Sequence, residues 1–426
     1  MKLHWQIVIA LGLAVLFGLA TSLEYDSAIL GFGLYPAYKF IGALFLNALK
    51  MIIVPLVVSS IIVGVAGIGS SGGFARLGTK TLLYYLATTF IAVTIGLMVV
   101  NAIEPGIVGG EPVKDQINLT ADVSDITAKV EGRGASDIVE VFIRMIPPNV
   151  VAAAADGQML GLIFFSLLFG YFMARISKPY AESQFNFWQG LYEVMLNITL
   201  LIMKFAPIGV FGLVAAVVAD TGASQFMTLM ETLGLFFMSV ILALSIHAFI
   251  VMPLILRFVA GVNPLRHYRA MAPALLTAFS TASSSATLPL TIECVEKNAG
   301  VSNRTSSFVL PLGSTVNMDG TALYECVAAM FIAQAYGLDL SFTQQFVIVL
   351  LALLTSIGVA GIPSASLVAI TIILGYIGLP AEGIALIFVV DRLLDMCRTA
   401  VNVFSDSCGA VTIAKLEGEE GILEKE

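Results

Sequence analysis

The last long apolar stretch of the chain, residues 381–415, carries ionisable side chains at helical spacing. At 100° per residue, one set falls within roughly 80° on a single helix face: Asp391, Asp395, Arg398, Asn402 and Asp406. A guanidinium can hold a carboxylate through two parallel hydrogen bonds, and a carboxylate one turn away can hold an ammonium group. This face could therefore bind a zwitterion; the alternative is a mutual salt bridge that only packs the helices. Arg392, at about 100°, lies off this face, and we expect a boundary or packing role for it.

The preceding apolar stretch, residues 304–335, is interrupted by the run Asn317-Met318-Asp319-Gly320-Thr321. A broken helix frees backbone carbonyl oxygens, which suit Na⁺, and Asp319 can supply the negative charge. The alternative is a glycine-kinked span whose polar groups are all satisfied. One turn later, Glu325 is a further carboxyl group in an apolar stretch. We hypothesise that Glu325 carries a proton, with simple packing through one hydrogen bond as the alternative.

Two other segments do not resemble simple spans. Residues 263–297 centre on a serine-rich tip at 280–289, and residues 343–375 centre on a tip at 355–364 that contains glycine and proline. Each has apolar arms around small residues, which predicts a helical hairpin that dips partway into a membrane. Irregular backbone at membrane depth is tolerated only where protein buries it or it lines a cavity. A kinked span or a flexible linker is the alternative for each.

The composition is that of a membrane protein. Of 426 residues, 58% are hydrophobic and 12% are charged, and the mean hydropathy is +0.95, whereas soluble domains have roughly 45–50% apolar and about 25% charged residues. A transmembrane helix needs about 20 apolar residues. Before residue 260, such runs lie at 5–23, 40–68, 79–103, 138–176, 188–219 and 228–259. We interpret the first as a retained helix rather than a signal peptide, and we expect the fourth, with Pro147-Pro148 and Asp156-Gly157, to be broken.

Charge placement predicts orientation. Lysine and arginine favour the cytoplasmic side, and they cluster in alternate breaks: Lys2, Arg76, Lys80, Arg175, Lys178, Arg257, Arg266 and Arg269. Residues 104–137 are rich in acidic side chains and are predicted to form an external loop. The net charge of −8 includes no basic patch, so we expect no nucleic-acid binding. The four cysteines lack the spacing of metal ligands, so we expect them to be apolar packing residues.

Three motifs together resemble the sodium-coupled glutamate/aspartate transporter family, which includes the animal excitatory amino acid transporters and their prokaryotic homologues. They are the run from Asn317 to Glu325, the serines at 283–285, and the pattern Asp395-x-x-Arg398-Thr399-x-x-Asn402-x-x-x-Asp406. The resemblance covers nearly the whole chain, to about residue 415. Any one motif alone would be weak evidence, but the combination is specific.

The resemblance implies an all-α integral membrane protein with eight transmembrane helices, two re-entrant helical hairpins, inverted repeats and a homotrimer. In such an elevator-type transporter, a transport domain moves against a static scaffold. The division expected here assigns residues 1–78 mainly to the scaffold, and 138–219 to the scaffold and the trimer contacts. It assigns 79–103 and 228–415 to the transport domain, 104–137 to the external loop and 416–426 to a cytoplasmic tail. The N- and C-termini are expected in the cytoplasm of a multi-pass cell-membrane protein, in the inner membrane if the source is a Gram-negative bacterium.

The resemblance also implies site residues. Arg398 would take the side-chain carboxylate of the substrate and Asp395 its amino group, helped by Ser284, Ser285, Thr321, Gly361, Ile362, Thr399 and Asn402. One sodium site would use Gly313, Asn317, Asn402 and Asp406. A second would use backbone at Thr315, Ser356, Ile357 and Val359, near Met318. A third would use Tyr85, Thr88, Thr89, Asn317 and Asp319; taken alone, the two threonines could simply bond back to their own helix.

The chain also departs from the family pattern. Glu325 matches the animal members, which use that acid in proton and potassium coupling, whereas well-known archaeal members have glutamine there. The family usually places a second arginine near the site, either in the first hairpin tip, where this chain has Ala282, or just after the matching aspartate, where it has Met396. Neither arginine is present, which puts the substrate affinity and K⁺ counter-transport in question.

The function predicted from the sequence is Na⁺-driven symport of aspartate and glutamate, with proton coupling as a hypothesis and no enzymatic cofactor. A C4-dicarboxylate has no ammonium group for Asp395, and a neutral amino acid would leave Arg398 buried without a partner. An ion channel remains a rival from another class. An intramembrane aspartyl protease would need two carboxylates that share a proton, and Arg398 beside Asp395 argues against it, so we expect the protein not to be an enzyme.

Overall fold

The computed structural model describes residues 3–23, 28–29, 32–69, 75–114, 143, 146–156, 158–221, 226–358 and 366–424, which are mostly helical. The first helices are α1 (Leu3–Leu23), α2 (Leu34–Gly69), α3 (Ala75–Ile103), α4 (Val150–Ala155), α5 (Met159–Met173), α6 (Lys178–Lys204) and α7 (Ala206–Thr221). The later helices are α8 (Phe226–Ile246), α9 (Met252–Phe258), α10 (Pro264–Thr281), α11 (Ser284–Glu293), α12 (Asn303–Val316), α13 (Asp319–Ala335), α14 (Phe342–Gly358), α15 (Ser366–Ile377) and α16 (Phe388–Leu416). π-Helical turns cover His247–Val251 and Cys294–Asn298, and a 3₁₀ helix covers Ala381–Leu386.

Two small antiparallel hairpins depart from the purely helical expectation. They pair β1 (Ala28–Ile29) with β2 (Phe32–Gly33), and β3 (Ile107–Val108) with β4 (Glu111–Pro112). Each strand has only two residues. The first hairpin leads into α2 and the second follows α3, so both are tight connections at helix ends, and the fold class remains helical.

Three described stretches are long and apolar enough to cross a membrane: Leu34–Ala66, Arg76–Ile103 and Met227–Phe258. A fourth is added if α6 and α7, which meet at an angle of 57°, count as one span. The run expected over 188–219 is therefore bent between α6 and α7, and that it forms one span stays a prediction. Pro207, in the first turn of α7, has no N–H to donate and so cannot continue the preceding helix. The expected total of eight spans stays a prediction, because the apolar stretches of α1, α5, α14 and α15 have only 10–17 residues.

The fourth apolar run is broken, as its sequence predicts. α4 ends at Ala155 and α5 begins at Met159. Asn149 caps the start of α4, and its side chain accepts hydrogen bonds from the N–H groups of Val151 and Ala152. Such a cap satisfies donors that have no partner within the helix, so the chain can begin a new helix directly after Pro147-Pro148.

The first predicted hairpin is present as a helix–turn–helix. α10 and α11 pack against each other. Between them, Ala282 adopts a left-handed conformation with φ 49° and ψ 41°, and Ser283 caps α11 by accepting a hydrogen bond from Ala286 N at 3.2 Å. In the second hairpin, α14 packs against α15. Its predicted tip, 355–364, begins within α14, and residues 359–365 lie outside the described residues. The depth of either hairpin in a membrane stays a prediction.

Helix α16 lies at the centre of the second half. It packs against α3, α8, α10, α11, α12 and α13. Every residue from Val401 to Ala414 is buried. α13 is buried along nearly its whole length and packs directly on α16. The polar side chains of these two helices must therefore find partners inside the protein.

The helices pack in two groups. In the first, α7 packs on α1 and α2, and α2 packs on α5 and α6. In the second, α3 and α8 join α10–α14 and α16. The groups meet where α2 touches α14 and where α7 touches the 3₁₀ helix before α16.

The segment after α16 is fastened to three earlier elements. Glu417 accepts hydrogen bonds from Arg76 Nη2 at 2.8 Å and Lys80 Nζ at 2.7 Å. Glu419 accepts one from Ser302 Oγ at 2.6 Å, and Arg266 Nη1 donates to the carbonyl of Leu423 at 3.1 Å. Positively charged breaks that were predicted to share one side of the membrane thus contact the same terminal segment. That this side is cytoplasmic stays a prediction.

We expect Glu417→Gln to lower the free energy of unfolding by about 0.2–1 kcal/mol, the usual range for an exposed ion pair. Arg76 and Lys80 lower the pKa of Glu417 from its ordinary 4.5 to about 2. A group whose pKa falls on folding contributes stability above its unfolded pKa and loses it as the pH falls through the folded one. The difference in thermal unfolding midpoint between wild type and variant should therefore be full at neutral pH and shrink below about pH 4.5.

The control for this measurement is Glu420→Gln, because Glu420 is exposed. High salt should also reduce the effect of Glu417→Gln by screening the charges. Equal midpoints for wild type and Glu417→Gln at neutral pH and low salt would show that these ion pairs do not hold the terminal segment.

Candidate functional site

A break between α12 and α13 forms the first part of the site. α12 ends at Val316, and neither Asn317 (φ −100°, ψ 88°) nor Met318 (φ −117°, ψ 60°) is helical. The N–H of Asn317 still donates to the carbonyl of Gly313 at 2.8 Å. The predicted break is therefore confirmed, in place of a kinked continuous span. Carbonyl oxygens near such a break keep a lone pair for a further ligand.

Asp319 begins α13 and lies in a buried cluster of hydrogen-bond donors. Its Oδ1 accepts from Thr89 Oγ1 at 2.6 Å and from Thr88 Oγ1 at 3.3 Å. Its Oδ2 accepts from Ser405 Oγ at 2.6 Å. Thr88 also bonds back to its own helix, to the carbonyl of Tyr85 at 3.2 Å. The two threonines of α3, which are named for the third sodium site, thus face Asp319, and Thr88 Oγ1 also lies 3.4 Å from Asn317 Oδ1.

Tyr85 approaches the same region in a different way. Its hydroxyl donates to the carbonyl of Val309 at 2.8 Å. A Cβ added to Gly313 would lie only 2.6 Å from that hydroxyl and 2.5 Å from Asp406 Oδ1. α12 therefore needs glycine at position 313, because the side chains of α3 and α16 approach its backbone directly.

His247 is a residue of this cluster that the sequence interpretation missed. It lies in the π-helical turn between α8 and α9 and is fully buried. Its Nε2 lies 3.0 Å from Asp319 Oδ2. An ionisable residue inside an apolar run is itself a signal of function, and that signal could have singled out His247.

Asn317 joins the break to α16. Its Nδ2 donates to Asp406 Oδ1 at 2.9 Å and to Ser405 Oγ at 3.1 Å. Gly313, Asn317 and Asp406, three of the four residues named for the first sodium site, are therefore in contact. The side chain of the fourth, Asn402, is directed to the start of α13.

Asn402 holds the beginning of α13. Its Oδ1 accepts from the N–H of Gly320 at 2.8 Å and of Thr321 at 3.3 Å, and its Nδ2 donates to Thr321 Oγ1 at 2.9 Å. These N–H groups belong to the first turn of a helix, where donors lack a partner within the helix. Gly320 allows the contact, since a Cβ there would lie 2.7 Å from the carbonyl oxygen of Arg398.

Arg398 is the centre of the second cluster. It is fully buried, and it donates to Asp391 Oδ1 at 3.1 Å and to Asp395 Oδ1 at 2.8 Å. The hydroxyl of Tyr324 donates to the same Asp391 oxygen at 2.9 Å, and the guanidinium carbon lies 3.7 Å from the centre of the Tyr324 ring. The mutual salt bridges of the alternative interpretation are therefore present. A role for Arg398 in binding a carboxylate stays a prediction.

Arg392 departs from the expected boundary role. Its backbone lies off the polar face of α16, but its Nη1 lies 3.3 Å from Asp395 Oδ2 and its side chain is buried. A helical-wheel argument places the Cβ atom, whereas an arginine can carry its charge several bonds away from that position. Arg392 is therefore part of the charged cluster.

The remaining residues named for substrate binding are less completely joined. Thr399 Oγ1 donates to the carbonyl of Asp395 at 2.8 Å. Ser284 is buried at the start of α11 and Ser285 is exposed; α11 packs against α16, but within the described chain no hydrogen bond joins either serine to the charged cluster. Gly361 and Ile362 lie outside the described residues.

The described residues named for the second sodium site lie where α12 packs against α14. Thr315 and Ser356 each bond back to their own helix, through Leu312 O and Leu353 O. Met318 is buried nearby in the break. Ile357 lies in the last turn of α14, where carbonyl groups have no partner within the helix and carry partial negative charge. This backbone suits a cation; Val359 lies outside the described residues.

Glu325 is fully buried in α13. Its Oε2 accepts a hydrogen bond from Thr355 Oγ1 at 2.9 Å, and its Oε1 has no hydrogen-bond partner among the described residues. Thr355 belongs to α14, the first arm of the second hairpin. This hydrogen bond thus connects Glu325 to the second hairpin. The role of Glu325 as a proton carrier stays a hypothesis.

Within the described ranges, no group of three histidine, cysteine, aspartate or glutamate side chains is placed to hold a metal ion. The four cysteines are free, and Cys294, Cys326 and Cys408 are buried while Cys397 is half-buried. The polar groups of the site are instead oxygens and amides, the ligand types that hard cations such as Na⁺ use.

Comparison with known proteins identifies the family of this chain. The family model described as the sodium:dicarboxylate symporter family matches residues 3–416. The chain belongs to this family. It is 36% identical to the proton/glutamate-aspartate symporter of Escherichia coli (strain K12) over 418 residues, which cover 98% of this chain and 93% of the relative.

Two further relatives of this sodium:dicarboxylate symporter family member are equally similar. The proton/sodium-glutamate symport protein of Geobacillus stearothermophilus is 36% identical over 417 residues, covering 98% of this chain and 95% of the relative. Excitatory amino acid transporter 3 of Homo sapiens is 36% identical over 423 residues, covering 90% of this chain and 80% of the relative. The family resemblance seen in the motifs is therefore confirmed over the whole chain.

In this family member, the close approach of α13 to α16 can be tested with Gly320→Ala. The added methyl would meet the Arg398 carbonyl at 2.7 Å and Asn402 Oδ1 at 3.1 Å, so the helices must separate. Overpacking of this kind costs about 1–3 kcal/mol, and we expect a lower thermal unfolding midpoint for the purified protein.

The matched control is Gly234→Ala in α8, where a Cβ would meet no atom within 4 Å. Alanine is favoured over glycine in a helix by up to about 1 kcal/mol, so this variant should be neutral or stabilised. A midpoint for Gly320→Ala at or above that of Gly234→Ala would contradict the close contact.

Proposed function

We propose that this chain is a Na⁺-coupled symporter of the acidic amino acids L-aspartate and L-glutamate, and not an enzyme. The observation that carries the proposal is the buried pair of Asp395 and Arg398 on α16, 2.8 Å apart. Together they offer one group for a carboxylate and one for an ammonium. The names of the relatives, which include a glutamate-aspartate symporter and a sodium-glutamate symport protein, support the same substrate class and Na⁺ as the coupling ion.

The substrate binds by exchange of partners. Arg398 already donates to Asp391 and Asp395, so a substrate carboxylate takes the place of one of these aspartates in a bidentate contact. The released oxygen of Asp395 then receives the substrate ammonium group. The other contacts assigned to substrate are those of Thr321, Thr399, Asn402, the serines 284 and 285, and the second hairpin at Gly361 and Ile362.

Sodium ions are cargo bound next to the substrate. Asp406 and Asp319 are the carboxylates of the first and third proposed sites, and Asn317 hydrogen-bonds to Asp406 directly. Asn402 lies between the sodium sites and the substrate site, because it binds Gly320 and Thr321 at the start of α13. A cation that orders the break therefore also orders Thr321, which gives a coupling free energy between the two ligands. The backbone at the end of α14 provides the second site.

The architecture follows from the same proposal. One packing group (α1, α2, α5, α6 and α7) is the scaffold, which forms a homotrimer. The other, built around α16, is the transport domain that moves as an elevator. The two hairpins are re-entrant and belong to inverted repeats, so that eight helices span the membrane. The protein lies in the cell membrane with both termini in the cytoplasm.

The charged cluster argues against two alternative transport functions. A C4-dicarboxylate has no ammonium group for the Asp395 oxygen that the exchange of partners releases. A neutral amino acid has no side-chain carboxylate to take the place of an aspartate at Arg398. An ion channel needs neither group in a buried pair and does not concentrate a substrate.

The decisive experiment is uptake of labelled L-aspartate into proteoliposomes, with an inward Na⁺ gradient or with choline in its place. We expect accumulation with Na⁺ only, and none for Arg398→Ala, because truncating one partner of a buried charge pair costs 2–5 kcal/mol, or at least about 30-fold in affinity. Arg257→Gln, at an exposed arginine of α9, is the control.

Folding of Arg398→Ala is checked by stabilisation with Na⁺, which should raise its unfolding midpoint as in the wild type. Accumulation driven equally well without Na⁺ would contradict the cation assignment. Competition by succinate but not by glutamate would favour the dicarboxylate carrier.

The proton hypothesis has its own test. Glu325→Gln removes the titratable group while retaining a hydrogen-bond acceptor for Thr355, so uptake should lose its dependence on pH while Na⁺ dependence remains. Uptake of aspartate should be measured over a pH series for wild type and variant. An unchanged pH profile would exclude Glu325 as the proton carrier. If K⁺ inside the vesicles accelerates uptake in the wild type only, Glu325 also takes part in the return of the empty carrier.

A further inference from the structure

Asp395 lies between two guanidinium groups. Its Oδ1 is 2.8 Å from Arg398 Nη2, and its Oδ2 is 3.3 Å from Arg392 Nη1. The side chains of Arg392 and Asp395 are each 9% exposed and that of Arg398 is 0% exposed. Contacts with water therefore do little to screen these charges.

The charges of this cluster balance. Asp391 and Asp395 each carry one negative charge, Arg392 and Arg398 each carry one positive charge, and the ion pairs connect all four side chains. An acidic amino acid adds a net charge of about −1 near neutral pH. If Arg392 were neutral, the four side chains would already carry one excess negative charge before that substrate arrived.

We propose that Arg392 is a specificity-determining and positioning residue of the substrate site, which neutralises the paired aspartates so that a net-anionic amino acid can be held. The inference rests on the proposed function, because it concerns the same site. Arg392 acts on the substrate through Asp395 and through its charge.

The hydrogen bond from Arg392 to Asp395 gives Arg392 its positioning role. When the substrate ammonium takes the Oδ1 atom of Asp395 from Arg398, Arg392 still holds the Oδ2 atom. The carboxylate therefore keeps its orientation during the exchange of partners. The Nε of Arg392 is buried and has no hydrogen-bond partner in the described part of the chain; an unsatisfied donor of this kind is costly, and it offers a further contact to an anionic ligand.

A residue that only packs the helices would behave differently from one that selects for charge. Loss of a packing contact would weaken all substrates by a similar factor. Loss of the charge balance should weaken L-aspartate far more than L-asparagine, which has nearly the same shape but no net charge. The ratio of the two binding constants therefore separates the two roles.

The experiment compares wild type, Arg392→Gln, Arg392→Lys and the control Arg257→Gln in proteoliposomes with a Na⁺ gradient. The KM for labelled L-aspartate and the inhibition constant of L-asparagine are measured for each. We expect Arg392→Gln to raise the KM for aspartate at least about tenfold and to change the asparagine constant by less than about threefold. Arg392→Lys, which keeps the charge, should stay within about threefold of wild type for aspartate.

Equal changes for aspartate and asparagine in Arg392→Gln, or an unchanged KM for aspartate, would overturn the proposal. If Arg392→Gln does not fold, or if asparagine binds no variant measurably, Arg392→Lys decides: a tenfold or larger rise in its KM for aspartate would overturn the charge-balance role. Failure of the wild type to take up aspartate with Na⁺ would instead refute the proposed function, so the two failures are distinguishable.

Discussion

The charge of Arg398 is the constraint on which the second half of the molecule depends. An ionised side chain without contact with water is costly unless it is paired and hydrogen-bonded. Asp391 and Asp395 supply the opposite charges, and Tyr324 supplies both a hydroxyl to Asp391 and a ring face to the guanidinium. Asp391 and Asp395 lie on α16 with Arg398, whereas Tyr324 can reach the guanidinium only because α13 packs directly on α16. The position of the polar cluster and the burial of the two central helices therefore both follow from the need to pair the charge of Arg398.

The approach of α13 to α16 depends in turn on the break between α12 and α13. In a continuous helix, the N–H groups of Gly320 and Thr321 would donate to carbonyl oxygens four residues earlier. The break leaves these two N–H groups without such acceptors, and Asn402 accepts hydrogen bonds from both. Gly313 and Gly320 are required on either side of the break because the side chains and backbone of α16 come within 3 Å of where a Cβ would lie. The glycines thus allow the close approach of α16, and the side-chain amide of Asn402 takes the place of the missing helical hydrogen bonds.

The sequence predicted those features whose signals are local. The polar face of α16 follows from a spacing of three or four residues, the break from a polar run around Gly320, and the first hairpin from a serine-rich tip between apolar arms. The bend between α6 and α7, the contact of His247 with Asp319 and the reach of Arg392 were not predicted. Each depends on which elements meet in space or on the direction of a long side chain, and a helical wheel describes neither. The ligand sets came from the family resemblance, since spacing alone cannot bring α3 next to α13.

The partners of each buried carboxylate indicate which of them suit the substrate and which suit Na⁺. Asp395 is paired with guanidinium groups, whereas Asp406 accepts a hydrogen bond from the amide of Asn317. Asp319 accepts from the hydroxyls of Thr89 and Ser405 and also lies 3.0 Å from His247 Nε2. Neutral donors orient a carboxylate without cancelling its charge, so a monovalent cation can still gain from binding there. A carboxylate that already faces arginine gains little from a cation but can exchange one oxygen for an ammonium group. We therefore propose that the substrate binds beside the arginines and Na⁺ beside Asp319 and Asp406, and that the connection through Asn402 makes one binding event depend on the other.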